Sequence, residues 1–245
     1  MRLTFSRSSF TRCAAGCAGI LAGLAGVVTG ATAQTLCNSD GAPAPRVLQE
    51  RFLDADCTAC WSAAASGAVP GAAGAARTPT LDWIVPSAAA ADGAAMSAAA
   101  LPEAQARLDA LRKPAPSAHE TLQLAAPVGA ARPGALRVAR GAAVADYVGV
   151  SIAWNPPRAA AGTVTAWLVL AEALPAGADG SAVERLLVRG ALTLRWQPKA
   201  GTRLSEARSM RVPETADPAR LRMVGWVEDG GGRILTAAAS VCRSS

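Results

Sequence analysis

Cys57, Thr58, Ala59 and Cys60 place two thiols three residues apart, directly after the apolar run Val47 to Leu53 and directly before Trp61. At the start of a helix this spacing brings the sulfurs close enough to bridge. The pair can then exchange two electrons with another thiol or disulfide. Exposed amides of a first helical turn favour a thiolate, so Cys57 reads as the attacking thiolate and Cys60 as the resolving thiol. Asp54 and Asp56 stand just before the pair, and their negative charge opposes that thiolate. The alternative reading is a plain structural bridge, because exported proteins keep cysteines oxidised whether or not they do chemistry.

Export is read from the first 33 residues. Arg2, Arg7 and Arg12 make a positive start, Cys13 to Val28 is apolar, and Ala31, Thr32, Ala33 form an A-x-A cleavage site. Residues 1–33 therefore read as a signal peptide, with Gln34 the first mature residue and the periplasm or the medium as destination. No second long apolar run follows, so no integral span is expected in the mature chain. The whole chain has 24 basic and 18 acidic residues; without the three leader arginines these become 21 and 18, and net charge falls from +6 to +3. Arg203, Arg208, Arg211, Arg220 and Arg222 form the densest basic stretch. No aromatics are interleaved with it, so a solvated face is expected and no nucleic-acid partner.

Of six cysteines, Cys13 and Cys17 belong to the leader, leaving Cys37, Cys57, Cys60 and Cys242. Four cysteines allow three pairings. We favour Cys57 with Cys60 and Cys37 with Cys242, while pairing of Cys37 with Cys57 or Cys60 stays open. The Cys37–Cys242 bridge would close a loop of about 200 residues, for which chain entropy gives roughly 5 kcal/mol. Cys37 and Cys242 do not form a second short-spaced pair, so neither a metal site nor a cofactor is expected. His119, the only histidine, sits beside a proline linker and reads as an exposed loop residue. Asp92, Glu172, Glu184, Glu228 and Asp229 do not pair as an acid and base. Gly230 to Gly232 read as a hairpin turn rather than a phosphate loop.

Two kinds of element must position these groups. From Gln34 to Lys113 strand and helix signals alternate: strands at Val47–Leu53 and Leu81–Val85, a short helix at Cys57–Ser66, and a longer one from Ala94 to Leu111 that Pro102 divides. Lys113 to Ser117 carries Pro114 and Pro116 and reads as a linker. Beyond it strand signals recur at Thr121–Ala125, Leu136–Ala139, Tyr147–Trp154, Thr163–Ala171, Leu186–Trp196, Met210–Val212, Leu221–Val227 and Arg233–Ala238, separated by proline and glycine. That rhythm predicts an antiparallel β-sandwich, with Trp154, Trp167, Trp196 and Trp226 in its core.

Val47 to Leu53 followed by Asp56 to Cys60, together with Met223 to Ala238, resembles a family of uncharacterised bacterial secreted proteins. That family has a thioredoxin-like N-terminal domain and a closing β-hairpin. Together with the readings above, the resemblance gives an α+β chain: a signal peptide at 1–33, a short thioredoxin-like α/β part at 34–113, a linker at 114–118, and an antiparallel β-sandwich at 119–245. It also implies thiol–disulfide exchange on envelope proteins through Cys57 and Cys60. The alternative is a non-catalytic binding or envelope-structural protein. This chain departs from the family pattern where Trp61 and Ser62 replace prolines. Its Thr78–Pro79 and Val85–Pro86 come too early for the proline loop that faces the thiols in thioredoxins.

Overall fold

Leu81, Trp83 and Val85 occupy one face of a strand and Ile84 the other, which leaves that strand no side for solvent. Such a strand needs neighbours at both edges and cover above and below. The computed structural model describes residues 36–64, 78–88, 93–130, 132 and 134–243, and in it this requirement decides the architecture. The signal peptide, Asp92 and Pro133 lie outside the described residues, as do residues 65 and 66 of the helix expected at Cys57–Ser66, which ends earlier, at Ser62, where Ala63 turns to extended backbone.

The elements are β1 (Leu36–Asn38), β2 (Val47–Asp54), α1 (Thr58–Ser62), β3 (Thr80–Val85), α2 (Pro102–Leu111), β4 (Thr121–Pro127), β5 (Leu136–Val144), β6 (Tyr147–Trp154), β7 (Val164–Leu174), β8 (Arg185–Trp196), β9 (Leu204–Arg211), β10 (Leu221–Glu228), β11 (Ile234–Ala239) and β12 (Val241–Arg243). They form two sheets. The larger has seven strands in the order β11-β10-β7-β8-β3-β2-β4, and the smaller has five in the order β12-β1-β5-β6-β9. Within the larger sheet β2 pairs with β3, and β3 with β8, in parallel; the remaining pairings in both sheets are antiparallel.

The expected α+β organisation, with a short thioredoxin-like α/β part followed by a sandwich, is overturned. The described chain is mostly β. α1 has only five residues and α2 ten, too little helix to cover a separate α/β layer. β2 and β3 do not build a sheet of their own: β8 lies against β3, which carries both into the larger sheet. The described residues, 36 to 243, belong to one compact unit. The physical reason is the burial of β3, whose residues Leu81 to Val85 are all buried, so its second edge had to be filled by a strand from beyond the linker. The sequence signal for Ala94–Leu111 resolves into a short 3₁₀ turn at Ser97–Ala99 and α2, with Pro102 at its first turn.

Alternation along the strands sorts side chains between three apolar cores. Val164, Ala166, Leu168 and Leu170 of β7 face the smaller sheet, where they meet Val138, Val150, Ile152 and Trp154. The opposite face of the larger sheet carries Phe52, Trp83, Trp167, Val169 and Trp226, roofed by Ala104 and Leu108 of α2. The tryptophans are thus divided rather than gathered. Trp154 stacks on Trp196 between the sheets, at 6.4 Å, while Trp167 stacks on Trp226 under α2, at 5.8 Å. Gly225 has no room for a side chain: an added Cβ would lie 2.6 Å from Val138 Cγ1 of the facing sheet and 3.2 Å from the Trp167 carbonyl oxygen of the neighbouring strand. Only glycine accepts that contact unstrained.

Buried ions lock the layers together. Arg107 of α2 bonds Glu50 on β2, at 2.8 and 2.7 Å, and Glu228 on β10, with its guanidinium about 5 Å from both the Trp167 and Trp226 rings. Burial works against the charge on Arg107, but Glu50 and Glu228 outweigh it and hold its pKa above the ordinary guanidinium value. Losing Arg107 would leave two buried carboxylates without their cation.

Candidate functional site

β2 and β3 run parallel, so their carboxyl ends meet at one edge, where Asp54 pairs with Val85. The chain leaves β2 there and turns at once into Cys57. Ala55 N–H donates to Val85 O and Cys57 N–H to Asp54 O, which fixes the turn. The Asp54 carboxylate, itself buried, accepts the Asp56 N–H at 2.8 Å. Asp54 therefore shapes the loop as well as charging it. Asp56 points to solvent.

Cys57 is the N-cap of α1. Its Sγ accepts the Cys60 N–H at 3.2 Å, and the two sulfurs are bonded, with Cα atoms 5.2 Å apart. The sulfurs differ in access. Cys57 is 2% exposed, whereas Cys60 is partly exposed and its Sγ lies 3.7 Å from the Glu120 carbonyl oxygen. Thr58 and Ala59 between them are exposed.

A five-residue helix has little stability of its own, so α1 must be held from outside. Trp61 does this on one side, buried with Leu53, Ile84, Leu174 and Leu187 and donating through Nε1 to Asp179 O at 2.6 Å. Arg185 does it on the other. Its Nη2 donates to the carbonyls of Trp61 and Ala63 at 2.9 and 2.7 Å, its Nε to Ser181 Oγ at 2.7 Å, and its guanidinium lies 5.4 Å from the Trp61 ring. A cation at the last carbonyls of a helix satisfies groups that have no partner within it. Arg185 and Ser181 carry no signal in the sequence, since they stand 124 and 120 residues from Trp61 and only the fold brings them there.

The face of the larger sheet that carries Leu53, Ile84, Leu174 and Leu187 also holds buried charge. Arg51 Nη2 stands 2.6 Å from Asp82 Oδ1, an ionic contact rather than a directed hydrogen bond, and Arg189 bonds Glu172 at 2.6 Å. Burial raises the Asp82 pKa to about 6, against the opposing pull of Arg51 and the Leu186 N–H.

The remaining sequence candidates scatter. Glu172 and Glu228 are consumed by Arg189 and Arg107, and Asp229 closes the β10–β11 turn on Gly231 and Arg233. His119 is exposed; its chain neighbour Glu120 supplies the carbonyl beside Cys60, a proximity invisible in the sequence. Of the two prolines considered, Pro79 precedes β3 at the end remote from the cysteines, while Pro86 follows it at the cysteine end. Arg208 pairs with Glu206 and Arg220 with Asp217, while Arg222 donates to the Ala219 and Leu221 carbonyls. Among the described residues no helix is long and apolar enough to cross a membrane.

The second bridge lies in the smaller sheet. Cys37 of β1 stands opposite Cys242 of β12, with Cα atoms 4.0 Å apart and S–S at 2.03 Å. It secures the two end strands of the described chain to each other and, through β1–β5 pairing, to the sandwich.

No protein-family model and no curated protein matches this chain. It is similar to a protein of Agrobacterium tumefaciens solved by crystallography, at 14% identity and a TM-score of 0.39 over 82% of this chain and 94% of that one.

Proposed function

We propose that this is an exported protein whose Cys57–Cys60 pair exchanges disulfides with other exported proteins. The observation that carries the reading is the placing of a half-open bridge on a short, externally braced helix, with the Cys60 N–H donated to Cys57 Sγ. A hydrogen bond to the charged form favours a thiolate, which is what both departure and attack in exchange require. Chain entropy supports it too. Closing residues 3 apart stabilises by only roughly 2 kcal/mol, a weak reason for a staple where Trp61 and Arg185 already anchor the helix. The signal-like start at residues 1–33 and the two disulfides suit the periplasm or the medium.

The test is the reduction potential of the pair in the purified mature protein, equilibrated against glutathione buffers. Exchange predicts a value above about −300 mV; a lower one marks a structural bridge and rejects the reading. One observation favours that second reading, a binding or envelope-structural protein: the near-complete burial of Cys57, which closes the usual direction of attack.

A further inference from the structure

We propose that exchange, on the reading above, enters through Cys60 and not through Cys57. A thiolate attacks a disulfide along the line of the two sulfurs, from outside the sulfur it strikes, so access to that sulfur decides the order. Cys57, the N-cap of α1, is 2% exposed, while Cys60 is partly exposed and stands beside exposed Thr58, Ala59 and Glu120. The leaving group fits the same order. Cys57 Sγ already accepts the Cys60 N–H at 3.2 Å, so the sulfur that must carry the departing electron pair has a donor in place. Burial raises the cost of that charge, and the hydrogen bond offsets it.

A thiolate from a dithiol protein attacks Cys60 Sγ; the Cys57–Cys60 bond breaks, and its electron pair stays on Cys57. The partner is now linked to Cys60 by a mixed disulfide. The partner's second thiolate attacks its own linked sulfur, forming the partner's disulfide and releasing the Cys60 thiolate. Two electrons pass from partner to pair, the partner's thiols lose two protons to water, and Cys57 and Cys60 take up two. An oxidised partner runs the sequence backwards, with Cys60 as the attacking thiolate and Cys57 as the resolving one. The surface that meets the partner is then the outer side of α1 and the segment at Glu120.

The probe is glutathione. Oxidised wild-type protein is mixed with reduced glutathione, quenched in acid, and mapped by mass spectrometry; the adduct is expected on Cys60. In parallel, Cys57→Ser and Cys60→Ser are reacted with oxidised glutathione, each checked for native near-ultraviolet dichroism. Cys57→Ser, which leaves Cys60 free, should form its adduct at least tenfold faster than Cys60→Ser. Equal rates, a faster Cys60→Ser, or a wild-type adduct on Cys57 overturns the order while exchange itself stands. No adduct on any folded form, with adducts appearing only in urea, removes exchange and the order together. Should either variant fail to fold, the wild-type map decides alone.

Discussion

Cys37–Cys242 joins residues 205 apart and ties strand to strand, whereas Cys57–Cys60 joins residues 3 apart within one turn of chain. The first constrains the unfolded chain strongly and sits where β-pairing already aligns its ends. The second constrains almost nothing and sits where strands stop. A bridge of the first kind is explained by stability alone. For the second, stability leaves most of the surroundings unexplained: the buried Trp61, the Arg185 brace and the unequal exposure of the two sulfurs.

The difference can be broken by removing each bridge in turn. Cys37→Ser with Cys242→Ser should lower unfolding free energy by about 5 kcal/mol, and Cys57→Ser with Cys60→Ser by about 2 kcal/mol or less, both read from urea titrations. Equal losses would make the short bridge a staple after all. The buried charge of the larger sheet gives the next effect. Asp82 has a folded pKa of about 6 against an ordinary 3.8, so the folded protein binds that proton more tightly than the unfolded one. The associated stability is fully present below pH 3.8 and is lost as pH rises through about 6, an amount on the order of 3 kcal/mol. Asp82→Asn should remove that part of the slope between pH 4 and 6, measured by thermal melts across pH; an unchanged slope would place the titration elsewhere. The smallest effect sharpens the role of the brace. Arg185→Ala leaves the Trp61 and Ala63 carbonyls without their donor, at about 1–3 kcal/mol, and should speed reduction of Cys57–Cys60 by dithiothreitol without altering Cys37–Cys242. Equal acceleration of both bridges would show global loosening instead.

Local pattern carried much of the architecture. The alternation in Tyr147–Trp154 and Leu186–Trp196 marked strands that form as β6 and β8, and Pro102 marked the true start of α2. Short strands at the ends, β1 and β12, escaped because three residues give no period to read. β9 was read only at its final residues, since Leu204–Arg211 is largely exposed and polar on an edge. The helical reading of Cys57–Ser66 was sound at its start, where the backbone of a C-x-x-C turn is set by near neighbours.

What the residues determined alone is local: the thiol spacing, the turns at proline and glycine, and the apolar faces of individual strands. Each depends on contacts within a few positions along the chain. The tertiary structure decided which strands shared a sheet, and so that β3 met β8 and drew the N-terminal strands into a mostly β molecule. It also decided the access to each sulfur, because Trp61, Arg185 and Glu120 come to the pair from distant sequence. Spacing can bring two cysteines together, but only packing determines which of them the solvent reaches.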